Sequence, residues 1–125
     1  MVQKGDNMSL YTKATVTDEQ RTELHDALSL TGAEISINYL PTGMAVPFAH
    51  SHKENEEIYT VIKGRGFLII DGEQVDLSVG DWVRVAPEAK RQFSASRYSD
   101  VRYICIQVKE NSLDKYCTDD AIPEK

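Results

Sequence analysis

The chain has 125 residues, 41% of them apolar, and a net charge of −6 from 14 basic and 20 acidic side chains. That length holds one hydrophobic core but not two. No run of about 18 apolar residues offers a membrane span, and no basic stripe offers a nucleic-acid footprint.

Residues 1–10 lack the apolar segment of a secretory signal, which points to a cytoplasmic protein. Residues 1–16 carry no clear periodicity. Thr17 then reads as a helix N-cap with Gln20 at the third helical position, and Asp18 and Glu19 complement the helix N-terminus. With Leu24, Ala27 and Leu28 as an apolar stripe, a helix of about three turns is predicted over 18–29, ended by Gly32. His25 falls on it as a surface residue.

From residue 33 the period changes to two. Ala33, Ile35, Ile37 and Tyr39 alternate with Glu34, Ser36 and Asn38, and Pro41-Thr42-Gly43 ends that strand. Further strands are predicted over 58–62 and 67–70, separated by a turn at Lys63-Gly64-Arg65-Gly66. Asp71-Gly72 signals a hairpin, followed by strands over 74–77, 82–85, 91–95 and 102–109. Val79-Gly80-Asp81 is a turn, and Pro87 stops a strand. Short strands separated by turn signals point to an all-β sandwich or barrel. The predicted organisation is an N-terminal segment over 1–32, one barrel domain over 33–110 and a polar tail over 111–125. Two cysteines, Cys105 and Cys117, show neither disulfide-framework nor metal-motif spacing. Cys105 sits in the apolar run Tyr103-Ile104-Cys105-Ile106 and reads as a buried, inert thiol.

The residues that carry chemistry begin at His50. His50 and His52 are two apart, so on an extended segment their imidazoles share a face. Glu57 follows, and a bend at 53–55 brings its carboxylate back toward them. Two histidines and one carboxylate on one side of a metal leave positions open for water or substrate. Zinc, nickel, iron and manganese all accept such a set.

Gly43, His50-x-His52-x4-Glu57 and the six-residue gap to Gly64 together resemble the first cupin motif. Gly80-Asp81-x-Val83-x-Val85-x-Pro87 resembles the start of the second, and the likeness runs from about residue 33 to 108. The resemblance implies a double-stranded β-helix, a jelly-roll-like barrel with a short N-terminal helix in front. It also implies one divalent metal per chain, held by His50, His52 and Glu57 plus one histidine of the second motif. Glu56 competes with Glu57 for the carboxylate place, and the gap to Gly64 favours Glu57. At the fourth place the sequence departs from the family. Where the motif reads Pro-x-Gly-x-x-His, this chain reads Pro87-Glu88-Ala89-Lys90-Arg91-Gln92, so spacing puts Gln92 in the histidine's place as a weak amide-oxygen ligand.

A divalent ion on two neutral imidazoles and one carboxylate carries a charge of about +1, which suits an anionic or enolisable oxygen ligand. Tyr39, Phe48, Tyr59, Trp82 and Phe93 are candidates for the pocket lining. Arg84 and Arg91 read as solvent-exposed. The functional expectation is a metal-dependent isomerase, lyase or dioxygenase acting on a small oxygen-rich metabolite, with Glu57 as ligand and catalytic carboxylate. The alternative is a non-catalytic module that binds or senses a small molecule, with or without metal. A homodimer is expected from the resemblance, joined through the N-terminal segment or the last strand. Neither nucleic acid nor membrane is an expected partner.

Overall fold

A computed structural model describes residues 10–113 and 118–124; Cys117 lies outside them. Seven strands carry the fold: β1 (Arg21–Glu23), β2 (Glu34–Leu40), β3 (Asn55–Ile70), β4 (Glu73–Ser78), β5 (Trp82–Val85), β6 (Arg91–Ala95) and β7 (Val101–Lys109), with one α-helical turn, α1 (His25–Leu28), and a 3-10 turn at Thr118–Asp120. All strand pairs are antiparallel, in the order β1-β2-β7-β3-β4, and β5 and β6 also pair with β3. β3 is the spine. Its first half pairs with β5 and β7, and its second half with β4 and β6. This is an all-β barrel, the fold class expected.

Period-two alternation builds the interior. Tyr59, Val61 and Leu68 of β3, Val85 of β5, Phe93 and Ala95 of β6, and Val101, Tyr103 and Cys105 of β7 point inward as one core. Its centre is aromatic: the Phe93 and Tyr103 rings stack at 3.7 Å, and Tyr59 lies 5.8 Å from Phe93. Cys105 is buried, and burial pushes its thiol well above the usual range, with nearby Glu57 adding to the effect. An inert thiol is what the apolar run implied.

Two local expectations are corrected. The segment predicted as a three-turn helix is half strand. The Tyr39 amide donates to the Gln20 carbonyl and the Leu24 amide to the Ile35 carbonyl, both at 2.8 Å, so β1 is zipped onto β2 before α1 begins. Three apolar residues give too narrow a stripe to hold an isolated short helix, while the open edge of β2 supplies backbone partners and buries Thr22. The helix that remains is the single turn His25–Leu28, closed by Ser29 in the left-handed region. The second correction is at Lys63-Gly64-Arg65-Gly66, which is not a turn but the middle of β3. A register shift between Val61 and Lys63 bends the strand there. By contrast Asp71-Gly72 is a two-residue hairpin with both φ angles positive, 47° and 87°, the mirror-image turn its sequence predicts.

Candidate metal centre

His50 precedes β3 on an irregular segment, yet its place is fixed. Its amide donates to the Arg91 carbonyl at 3.0 Å and the Arg91 amide donates back at 2.9 Å, a two-bond bridge to β6. The His52 amide donates to the Pro87 carbonyl at 2.8 Å. The segment is thus pinned at two points, and the rings meet edge to face, 5.0 Å apart. Glu57 enters from β3, where it pairs with Val85 and Gln107 and faces inward. The chain bends at 53–54 between them, as the sequence implied.

The three side chains converge. His52 Nε2 lies 3.1 Å from Glu57 Oε2, and His50 Nε2 lies 3.6 Å from Glu57 Oε1. One ligand atom from each falls within 4.8 Å of the others. Glu57 is 3% exposed, so its charge needs compensation. Burial by itself would raise its pKa. The Tyr59 hydroxyl, donating to Oε1 at 2.6 Å, and the neighbouring His52, Arg91 and His50 outweigh burial and hold the carboxyl below its ordinary range. The His50 pKa is lowered as well, for a different reason. Burial dominates, His52 and Arg91 add to it, and Glu57 opposes. An ionised carboxylate beside an imidazole that resists protonation is the donor state a divalent metal requires.

The largest difference from the sequence reading is at the fourth position. His50 and Arg91 are directly opposite one another, and residues so paired project to the same face. Arg91, not Gln92, therefore points inward. Its side chain is wholly buried. Nη1 donates to Glu57 Oε1 at 2.9 Å, and Nη2 reaches the Ala86 and Pro87 carbonyls at the end of β5. Gln92 pairs with Ile69 on the outer face, where its amide donates to the Val46 carbonyl at 2.8 Å. A surface hollow bounded by Ile69, Asp71 and Lys90 lies beside it. The structure does not bring Gln92 to His50, His52 and Glu57, and the assignment of Arg91 to solvent is corrected with it. The missed signal was alternation: Phe93 is core, and Arg91, two residues earlier, shares its face.

The other predicted residues divide. Tyr59 and Phe93 line the interior below the histidines. Tyr39 points outward, its hydroxyl donating to Asp100 at 3.0 Å and Arg102 lying over its ring. Phe48 and Trp82 are 68% and 64% exposed, so they form outer surface, not a closed lining. Glu56 is also outward, accepting from Arg84 at 2.6 Å, so the competing carboxylate is not at the site. A separate groove of about 710 Å³, bounded by Arg65, Phe67, Asp76 and Tyr98, includes none of the three candidate ligands.

A bent antiparallel barrel with two histidines and a glutamate converging inside one end defines a cupin. The cupin domain family matches residues 37–107, more than half of the chain, and the chain belongs to that family. A crystal structure of a cupin protein from Bacteroides fragilis is 52% identical, with a TM-score of 0.90 over 94% of this chain and 100% of that one. A sugar phosphate isomerase of the cupin superfamily from Silicibacter pomeroyi is 21% identical, with a TM-score of 0.62 over 72% of this chain and 60% of that one, a likeness of fold. An uncharacterized protein of Methanocaldococcus jannaschii is 27% identical over 56 residues, and the match spans 45% of this chain and 45% of that relative's length.

Proposed function

We propose that this cupin binds one divalent metal through His50, His52 and Glu57 and acts as a metal-dependent enzyme on a small oxygen-rich metabolite. Isomerase, lyase and dioxygenase chemistry fit the reading. The observation that carries it is the convergence of three donors within 4.8 Å of one another. The donor set fits such an ion: two imidazoles present Nε2 to one carboxylate, and Glu57 is held ionised. When bound, the metal supplies a Lewis acid that polarises a substrate oxygen. The chain's own residues hold that site in place. Tyr59 and Arg91 fix the Glu57 carboxylate, and the two backbone bonds between His50 and Arg91 fix the first imidazole. With its pKa lowered, Glu57 suits ligation better than proton uptake near neutral pH, and its proposed catalytic role is the weaker of the two.

A non-catalytic binding module is the second reading. Arg91 favours it, because a guanidinium has no lone pair to give a metal and the site has one ligand fewer than the cupin pattern implies. The proposal extends to a homodimer in the cytoplasm. Among the described residues no helix is long and apolar enough to cross a membrane. Elemental analysis of the purified protein beside a His50→Ala, His52→Ala double variant tests the metal reading. About one divalent ion per chain is expected in the first and none in the second; equal content in both would sink it.

A further inference from the structure

Arg91 is a fully buried cation whose only carboxylate contact among the described residues is Glu57. Arginine stays protonated at any pH a protein tolerates. It holds Oε1, which Tyr59 also holds, and so leaves Oε2 as the oxygen nearest His52. Its carbonyl partners, Ala86 and Pro87, fix the guanidinium from behind. A gap-filling side chain at this place needs no charge. The charge has an electrostatic consequence for anything bound at the histidines. Two neutral imidazoles, Glu57 and Arg91 sum to zero, so a divalent ion there retains a charge of about +2, where the same ligands without Arg91 leave about +1.

We propose that Arg91 is a specificity-determining positioning residue, which fixes Glu57 by Oε1, cancels its charge and so selects doubly charged oxygen anions over singly charged ones. The inference rests on the metal reading above. It assigns the substrate class as small dianionic oxygen compounds, such as dicarboxylates or phosphate monoesters. Arg91 is buried beneath the ligand atoms and acts through its field and through Glu57, not by touching the substrate. A unit charge several ångströms away, at the screening typical of a protein surface, changes such a preference by roughly tenfold or more.

The test uses cobalt(II)-loaded protein, whose visible absorption reports ligands entering the metal's open positions. Oxalate and oxamate are the probes, since both chelate through two oxygens and differ by one charge. Filtration checks that cobalt stays on the protein. Wild type is expected to bind oxalate at least tenfold more tightly than oxamate. Arg91→Gln, which keeps a hydrogen-bond donor but no charge, is expected to lose most of that ratio, and Arg91→Lys to retain it. A ratio unchanged in Arg91→Gln at equal cobalt content overturns the proposal and leaves the metal reading standing. Should Arg91→Gln not fold, wild type decides alone: oxamate bound as tightly as oxalate overturns it. Failure of wild type to take up cobalt overturns the metal reading itself, and this inference with it.

Discussion

A Cβ placed on Gly64 would lie 2.0 Å from the carbonyl oxygen of Asp100. Gly64 sits where β3 bends from one half of the barrel to the other, and its φ of +75° is in the left-handed region. The two backbones approach this closely only because position 64 carries no side chain. Gly64→Ala is therefore expected to destabilise by about 2–4 kcal/mol, from steric overlap plus left-handed strain. Gly43 has the same φ but open space around it, so Gly43→Ala is expected to cost only the strain, about 1–2 kcal/mol. Chemical denaturation of the two variants checks this. Equal losses would show that the contact with Asp100 is not what requires the glycine.

Removing either imidazole is expected to weaken divalent-metal binding by roughly 100-fold or more, at or above the upper end of what loss of an outer-shell partner costs. Folding should survive, because both rings are at the barrel mouth, 38% and 24% exposed, and the aromatic core below does not use them. Competition with a chelator measures affinity, and circular dichroism measures folding. Loss of fold in both single variants would mean that the histidines are structural.

Tyr103 contributes to the alkaline pH dependence, beside the buried Tyr59 and Cys105, whose pKa values burial also raises. Burial raises the Tyr103 pKa well above the ordinary value of 10. The folded protein therefore keeps a proton that the unfolded chain releases. A group with a raised folded pKa contributes stability that is full below its unfolded value and is lost as pH rises beyond it. The Tyr103 share of stability is expected to be lost above about pH 10, and the stability of Tyr103→Phe, which cannot ionise, to fall less steeply there. Thermal melts from pH 8 to 11 compare the slopes. Parallel slopes would mean that Tyr103 does not contribute to the alkaline limb.

A homodimer remains the expected assembly, but not through the last strand. β7 lies between β2 and β3, so its backbone is already paired on both sides. The open candidates are residues 10–17, which join no strand or helix, with Leu10 and Tyr11 strongly exposed, and the exposed apolar side chains of Ile62, Val79 and Trp82, which are 45%, 62% and 64% exposed. Apolar exposure of this kind favours a partner. Light scattering at micromolar concentration is expected to give twice the chain mass of 14.1 kDa, and Trp82→Lys to shift it toward the monomer. A wild-type mass of one chain would rule the dimer out.

Alternation made most of the barrel legible. The strands over 82–85 and 91–95 fall where the pattern placed them, because Gly80-Asp81 and Pro87 bound the first and Lys90 and Ser96 bound the second. The spacing from His50 to Glu57 located the candidate ligands, since a same-face pair is a local property of extended chain. What was not legible depends on partners far away in sequence. The capping pattern at Thr17 is a local signal for a helix start, and pairing with the edge of β2 overrides it. The glycines of 63–66 signal freedom of backbone, which a turn and a close strand crossing use equally. At Arg91 residue type and periodicity conflict: arginine suggests solvent, while the inward Phe93 two residues later fixes its face.

Arg91 and Gln92 are the two candidates for the fourth ligand position. By motif spacing the fourth histidine of the cupin pattern corresponds to Gln92; by the observed pairing it corresponds to Arg91, opposite His50. The two alignments predict opposite results for one pair of variants. Gln92→His puts its imidazole on the outer face beside Ile69 and should leave metal affinity as it is. Arg91→His turns an imidazole toward Glu57, removes a cation that competes for the carboxylate, and supplies a donor that zinc and nickel prefer to oxygen. Tightening of roughly tenfold or more is expected for both metals, the scale on which site-orienting groups act. The measurement is a chelator competition on wild type and the two variants, with circular dichroism to confirm that each is folded. If Gln92→His tightens binding while Arg91→His does not, β6 is out of register by one residue, and Arg91 does not face the metal.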